Sequence, residues 1–341
     1  MKLRWGICAA GKISNDFVGG LRTLPAEDHA AVAVAARSEV AAAAFASKHG
    51  IPEVCPSYQA LAEAQNVDIV YIGSLNHTHL PLCKLFLGHG KNVLCEKPLG
   101  LSKNEVQQII SLAKEKNVFL MEALWTRFFP ATQKLREILD QGLIGDVKTL
   151  NASFGIAAYQ VPRIKEKELG GGGLLDLGVY LMQEALMVFG VAPISWSTTG
   201  FLTDTGVDET TVTNLVFPNN AVATLTTSIV ANLSNDADIR GTKGSIKIHN
   251  PFWCPTKLEV TTYTKQMGTK TEVYEFALPK GESQFNFVNS PGLRYEAECV
   301  RQCLMKGLKE CPTASFKDSL LVAELLENAR HDVGYVLDAD L

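Results

Sequence analysis

No Cys-x-x-Cys pair occurs in this chain, although it carries 8 cysteines. That absence excludes zinc-ribbon and thioredoxin-like arrangements, which need paired thiols at that spacing. Of Cys8, Cys55, Cys83, Cys95, Cys254, Cys299, Cys303 and Cys311, several lie in apolar runs and read as buried free thiols of a reducing compartment. Cys299 and Cys303 share a helix face, but with no histidine nearby they read as packing residues. His29, His49, His89, His249 and His331 are scattered without ligand spacing, so no metal site is expected. Charge is sparse as well: 20% of residues are charged and the formal net charge is -4. A nucleic-acid binder would show a basic excess, so that class is excluded, whereas one local arginine can still hold a small anion. No uninterrupted apolar run approaches membrane-spanning length, and the segment from Met1 to Lys12 lacks the apolar stretch of a secretory signal. A cytoplasmic protein with no membrane partner is expected. Repeats and low-complexity linkers are also missing.

What is present is enough apolar material for two cores: 341 residues, 46% of them hydrophobic. Short apolar strands alternate with helical stretches through the first third: Leu3 to Ala9, Val32 to Ala36, Asp68 to Gly73, Asn92 to Glu96 and Val118 to Glu122. The helices between them include Val40 to His49, Leu80 to His89, and one opened by the capping box Ser102-Lys103-Asn104-Glu105. Strands buried on both faces with helical crossovers imply a doubly wound parallel sheet. Beyond Gly145 the pattern turns to short alternating strands separated by tight turns, which predicts a large, mostly antiparallel sheet. The glycines from Gly170 to Gly173 predict a flexible lead-in to a helix reaching Phe189, and two amphipathic helices close the chain. The fold class is α/β, with an N-terminal Rossmann domain over 1–124 and a C-terminal α+β domain over 125–341, whose last helices are free to pack back on the first.

The first strand runs into Gly6-Ile7-Cys8-Ala9-Ala10-Gly11-Lys12-Ile13-Ser14. A dinucleotide fingerprint would place glycines at Ala9, Gly11 and Ser14, and only Gly11 is one. An ordinary strand-to-helix turn fits the same letters. The position, between an apolar strand and a helix at the chain start, favours a phosphate loop. The second strand ends in Arg37-Ser38, where NAD-preferring enzymes carry an acid for the ribose hydroxyl. A guanidinium there suits a 2′-phosphate and so NADP, with Ser38 as a further donor, although a solvated surface arginine is the plainer reading.

Further along come Ser74-Leu75-Asn76-His77-Thr78-His79, then Cys95-Glu96-Lys97-Pro98, the run Gly171-Gly172-Gly173-Leu174-Leu175-Asp176-Leu177-Gly178-Val179-Tyr180, and Gly241-Thr242-Lys243-Gly244. In this order and spacing the chain resembles the glucose–fructose oxidoreductase/inositol dehydrogenase (Gfo/Idh/MocA) family over essentially its whole length. Leu75 departs from it, since the family often has proline there. The resemblance implies NADP-dependent oxidation of trans-dihydrodiols of aromatic hydrocarbons to catechols, and of aldopyranoses such as D-xylose to the lactone. It implies a small-molecule substrate and a homodimer built through the C-terminal sheet. It also implies catalytic roles for Lys97, Tyr180 and Asp176. Cofactor contacts are implied for Ala9, Gly11, Lys12, Ile13, Arg37, Ser38, Ser74, Asn76, His79, Glu96 and Lys97. Substrate contacts are implied for Trp125, Arg127, Phe154, Asp176 and Trp253.

Chemistry supports these assignments without closing the alternatives. A residue before proline is held extended, so Lys97 is aimed, and oxidation of a carbinol needs a proton acceptor beside the hydride acceptor. Asp176 and Tyr180, four apart, share a helix face. Read singly, Lys97 is a surface lysine, Tyr180 an interface aromatic, Asp176 a helix-start acid and Asn76 an N-cap. Trp125, Phe154 and Trp253 suit either an aromatic pocket wall or the core, and Glu96, Glu122 and Arg127 suit a buried ion-pair network. Two rival functions remain open on the same scaffold: an NADPH-dependent reductase of sugars or dicarbonyls, and a non-catalytic NADP-sensing binding protein.

Overall fold

Six runs pair into a wholly parallel sheet in the order β3-β2-β1-β4-β5-β6. They are β1 (Leu3–Cys8), β2 (His29–Ala35), β3 (Glu53–Val54), β4 (Ile69–Ile72), β5 (Asn92–Glu96) and β6 (Leu120–Ala123). The computed structural model describes residues 2–264, 268–281 and 284–340. Leu3, Ile7, Val34, Ile69, Val70, Val93 and Leu94 are fully buried, as strands covered on both faces must be. Helices Lys12–Leu21, Glu39–His49 and His79–Gly88 form the crossovers, and Lys103–Glu115 precedes β6. Ser38 caps Glu39–His49 by accepting the Ala41 N–H, and Gly50 ends it in the left-handed conformation. The chain reverses direction across the sheet between the neighbours β1 and β4, the point where an open α/β sheet leaves a crevice at its strand ends.

The unit holding this sheet comprises Met1–Gly100, Asn104–Trp125 and, from far along the chain, Leu278–Ser319. The returning segment is bound through Asp16, which is fully buried on the first helix. Its carboxylate accepts the N–H of Asn286 (2.9 Å), the N–H of Phe287 (2.9 Å) and the hydroxyl of Ser290 (2.6 Å). Helix Leu293–Met305 then packs on helix Lys12–Leu21. Gly20 lets the two helices approach closely there, since a Cβ would lie 3.3 Å from Leu293 and from the Arg294 nitrogen.

The second unit comprises Leu101–Lys103, Thr126–Ala277 and Leu320–Leu341. Its eight strands are β7 (Val147–Gly155), β8 (Ser195–Leu202), β9 (Asp208–Phe217), β10 (Ala221–Ser228), β11 (Ala237–Gly241), β12 (Gly244–Ile248), β13 (Lys257–Tyr263) and β14 (Thr269–Glu275). Their order is β14-β13-β12-β11-β7-β10-β9-β8, antiparallel except where β7 meets β10. The register puts Leu150, Leu215, Ala223, Leu225, Ile239, Ile246, Leu258 and Val260 on the covered face, all buried. On the other face Phe201, Val212, Asn214, Val216, Thr224, Asn151, Arg240 and Val273 stay at least partly open to solvent. A one-sided antiparallel sheet of this kind needs helices on one face only.

Over the covered face runs Val179–Phe189, approached through a π-helical turn at Leu174–Gly178. The stretch Lys167–Phe189 is apolar enough by composition to cross a membrane, but it is 83% buried and forms the core here. The glycine run before it is not a flexible lead-in. All of Gly170 to Gly173 are buried. A Cβ on Gly171 would meet the Ile164 carbonyl at 2.4 Å, and one on Gly172 would meet Asp208 Oδ1 at 2.2 Å. Gly172 also holds φ at 99°, so the run is a close-packed junction that only glycine satisfies.

Candidate active site

The carboxyl edge of the parallel sheet gathers most of the expected nucleotide contacts. β1 ends at Cys8, and Ala9 follows with φ 80, the left-handed region that a non-glycine residue seldom adopts. The bend is held because the Ala9 N–H donates to Ala35 O (2.9 Å) and the Gly73 N–H to Cys8 O (3.1 Å). Gly11, exposed, opens helix Lys12–Leu21, which has no side-chain cap and no acid in its first turn. Its leading N–H groups and positive dipole end therefore face outward unopposed, the setting that binds phosphate. A fingerprint's third glycine normally lets helix and strand approach closely. Here Ser14 occupies that place, and the room comes from Gly73 opposite, where a Cβ would lie 2.4 Å from Ser14 Oγ.

Arg37 is exposed just past the end of β2, and Lys12 is exposed beside Gly11. Ser38 serves as the cap described above, with its oxygen turned to Ala41 N–H. Ser74 Oγ accepts the Thr78 hydroxyl (2.8 Å), and Asn76 begins a short 3-10 turn whose N-cap is Leu75, not Asn76. His79 is fully buried, with Nδ1 2.7 Å from Pro98 O and Nε2 3.3 Å from Ser74 O. Burial lowers its pKa to about 4, so the ring is neutral and donates once, to the nearer carbonyl. His79 thus ties the start of its helix to the loop after β5 through Nδ1–H, and Nε2 is left with its lone pair.

Lys97 follows β5, half-buried and joined to Pro98 by a cis peptide. Beneath it Glu96 is buried and accepts the Tyr71 hydroxyl (2.7 Å), while Tyr71 stacks on Phe17 with centroids 3.8 Å apart. Burial raises the Glu96 pKa, opposed by the Tyr71 hydrogen bond and the Lys97 charge. Glu296, contributed by the returning helix, is fully buried with no hydrogen-bond partner on either oxygen among the described residues, and burial followed by the charge of Glu96 pushes it well above the carboxylate range. Glu122 accepts the Leu99 N–H (2.9 Å) and so fastens β6 to the turn after Pro98. Trp125 closes this unit, 6% exposed.

In the second unit Asp176 lies in the π turn and Tyr180 one turn on, in the α-helix. Asp176 accepts from the Arg163 guanidinium at 2.8 Å, and that carboxylate, with a smaller contribution from Tyr180, raises the arginine's pKa. Phe154 packs against Tyr180 (5.6 Å between centroids) and stacks on Trp253 (3.8 Å, 15°), with Phe252 edge-on. Tyr180 and Phe154 are buried while Trp253 stays partly open, so an aromatic wall and a hydroxyl stand together beside an ion pair. Asn235, in the left-handed region, builds the wall: its side chain takes the Gly155 N–H (2.8 Å) and donates to Gly155 O (3.1 Å), while its carbonyl accepts the Phe252 N–H (3.2 Å). Arg127 points into the core, where Nε donates to Gln183 (3.1 Å) and its charge is felt by buried Glu184.

Sequence reasoning missed Arg163, Asn235 and Asp208. Asp208 is fully buried, accepts the Leu174 N–H (2.7 Å) and so holds the start of the π turn that carries Asp176. Burial raises its pKa to about 6. Asn235 alone left a local signal, since asparagine favours the left-handed region; the others depend on contacts far apart in sequence.

Comparison with known proteins agrees with this picture. The family model described as "Oxidoreductase family, NAD-binding Rossmann fold" matches residues 3–124, and the "GFO/IDH/MocA C-terminal domain" matches residues 132–247. Among curated proteins, trans-1,2-dihydrobenzene-1,2-diol dehydrogenase of Danio rerio is 49% identical over 341 residues, covering 100% of this chain and 99% of its own. The human protein of that name is 43% identical over the same coverage. Among solved structures, levoglucosan dehydrogenase in complex with NADH and levoglucosan superposes with a TM-score of 0.85 at 19% identity, over 98% of this chain and 97% of that one. KijD10, a 3-ketoreductase from Actinomadura kijaniata in complex with NADP and TDP-benzene, gives 0.81 at 24%, over 97% and 98%. At those identities the two structures show the shared fold.

Proposed function

We propose that this chain, which belongs to the Gfo/Idh/MocA oxidoreductase family, is an NADP-dependent dehydrogenase. Its proposed reaction oxidises trans-dihydrodiols of aromatic hydrocarbons to catechols and accepts aldopyranoses such as D-xylose. The observation that carries the reading is the full-length likeness to enzymes named trans-1,2-dihydrobenzene-1,2-diol dehydrogenase, at 43–49% identity. The uncapped helix start at Gly11 and exposed Arg37 fit a pyrophosphate and a 2′-phosphate respectively. NADP, when bound, supplies the hydride acceptor. The chain's own residues handle the rest. Tyr180 is the residue proposed to take the carbinol proton, and the reverse assignment, with Lys97 as the base, shares the same chemistry. Arg163 fixes the Asp176 carboxylate so that it can accept a substrate hydroxyl. The Phe154–Trp253 stack offers an apolar face to the dihydrodiol ring. The hydroxyketone left by this single two-electron oxidation becomes a catechol by enolisation. The test follows nicotinamide absorbance with a trans-dihydrodiol, D-xylose and a dicarbonyl, in both directions. Turnover of the dihydrodiol with NADP supports the reading, whereas dicarbonyl reduction without any dihydrodiol oxidation refutes it.

A homodimer through the open sheet face belongs to the same proposal. Phe201 is 73% exposed on that face, with Val216 and Val273 also exposed. Light scattering should report a dimer that Phe201→Glu splits into monomers; a wild-type monomer at high concentration overturns it.

A further inference from the structure

The geometry points to a structural binding site for a thiophilic divalent cation of the zinc class at Cys299, Cys303 and Cys311. Spacing alone leaves the first two as neighbours on one helix face; what completes the set is the turn after the helix. Helix Leu293–Met305 ends, and the chain turns back so that Cys311, bridged to Ala314, faces the helix. Cys299 and Cys311 Sγ are 3.6 Å apart, and all three sulfurs lie within 4.8 Å of one another. Thiolates about 2.3 Å from a tetrahedral zinc ion lie about 3.8 Å from each other, so a small contraction places all three in ligand range.

The surroundings suit thiolates. Backbone N–H groups of Thr313 and Ala314 donate to the Cys311 sulfur, as the outer contacts of metal-bound thiolates do, and Lys306 stands near Cys303. Cys303 and Cys311 are buried while Cys299 is half-exposed, which gives the ion a path in and leaves a fourth position to water. The site lies far from the crevice by construction. The Lys309 carbonyl, in the same turn, accepts the N–H of Leu120, the first residue of β6. That is the amino edge of a parallel sheet whose carboxyl edge carries the nucleotide loops. A cation here ties the returning helix and its turn together, and binding releases a proton from each thiol still protonated.

The test titrates the reduced, metal-free full-length chain with Cd²⁺ and follows thiolate-to-metal charge-transfer absorbance, with Zn²⁺ as competitor and the thermal midpoint in parallel. Expected are one ion per chain, an absorbance equal to three thiolates, and a midpoint that climbs with ion concentration. Cys299→Ser and Cys311→Ser should each leave two thiolates and weaken binding at least about tenfold, since loss of even an outer contact costs 10–100-fold. Cys55→Ser should change nothing. Should Cys311→Ser fail to fold, half-exposed Cys299→Ser carries the test alone. Absence of charge-transfer absorbance, or binding that survives Cys299→Ser unchanged, overturns the site.

Discussion

Gly172→Ala should destabilise the chain severely, and by two separable routes. The first is backbone strain, since φ at 99° is nearly restricted to glycine and costs about 1–3 kcal/mol for other residues. The second is displacement of Asp208, whose Oδ1 would lie 2.2 Å from the new Cβ. Moving that carboxylate breaks its 2.7 Å bond with the Leu174 N–H, and hydrogen bonds to charged groups are worth about 1.5–3 kcal/mol. Together these come to about 2.5–6 kcal/mol, a large share of the 5–15 kcal/mol that holds a typical native protein. Urea unfolding gives the loss as a change in midpoint at constant slope. A double-mutant cycle with Asp208→Ala separates the routes. Removing the carboxylate first should rescue about 1.5–3 kcal/mol of the Gly172→Ala loss and leave the strain. Full additivity would refute the contact with Asp208, and a wild-type midpoint for Gly172→Ala would refute the whole argument. The surviving folded fraction should also lose kcat, because the π turn bearing Asp176 starts at Leu174.

Arg37→Ala should erase most of a roughly tenfold or greater preference for NADP over NAD, since about 1.4 kcal/mol is a factor of ten; fluorescence titration of both cofactors checks it, and equal wild-type affinities would sink it. Because Arg37 is exposed, the preference should shrink as salt rises. Tyr180→Phe and Lys97→Met should each lower kcat by roughly 10²–10⁴-fold with little change in NADP affinity, and a near-normal kcat with an unaltered pH profile for Tyr180→Phe makes that residue structural. Glu184, buried with its pKa raised to about 8, binds its proton more tightly folded than unfolded. Its contribution to stability is therefore full in acid and lost as pH rises through about 8, and Glu184→Gln should flatten the fall in urea midpoint across that window.

Most of the parallel sheet was legible because its strands are short apolar runs flanked by helical periodicity. β5 occupies the expected residues, and β1, β2, β4 and β6 differ from expectation by a few at their ends. The missing elements have physical reasons. β3 is two residues long, too short for any pattern. β14 is an edge strand, exposed at nearly every position, so it carries no alternation. Helix Pro130–Asp140, amphipathic with proline at its first position, did leave a signal that sequence reasoning passed over. The site divides in the same way. Lys97, Asp176 and Tyr180 stand out by local motif, whereas Arg163 and Asp208 matter only through partners 13 and 34 residues away. Asp176 and Tyr180 both act electrostatically on Arg163, and the π turn that holds Asp176 is invisible to a 3.6-residue period.

The attachment of Leu278–Ser319 to the first unit has a consequence for biosynthesis. Asp16 emerges from the ribosome early, but its partners Asn286, Phe287 and Ser290 follow some 270 residues later. At about 5–20 residues per second, that interval lasts roughly 15–50 seconds. Throughout it the nascent nucleotide fold carries a carboxylate without its three clamps and an apolar helix flank without its cover. The half made first therefore stays open until most of the second has been made, and chaperone occupancy on the nascent chain should persist until Leu278–Ser319 has emerged.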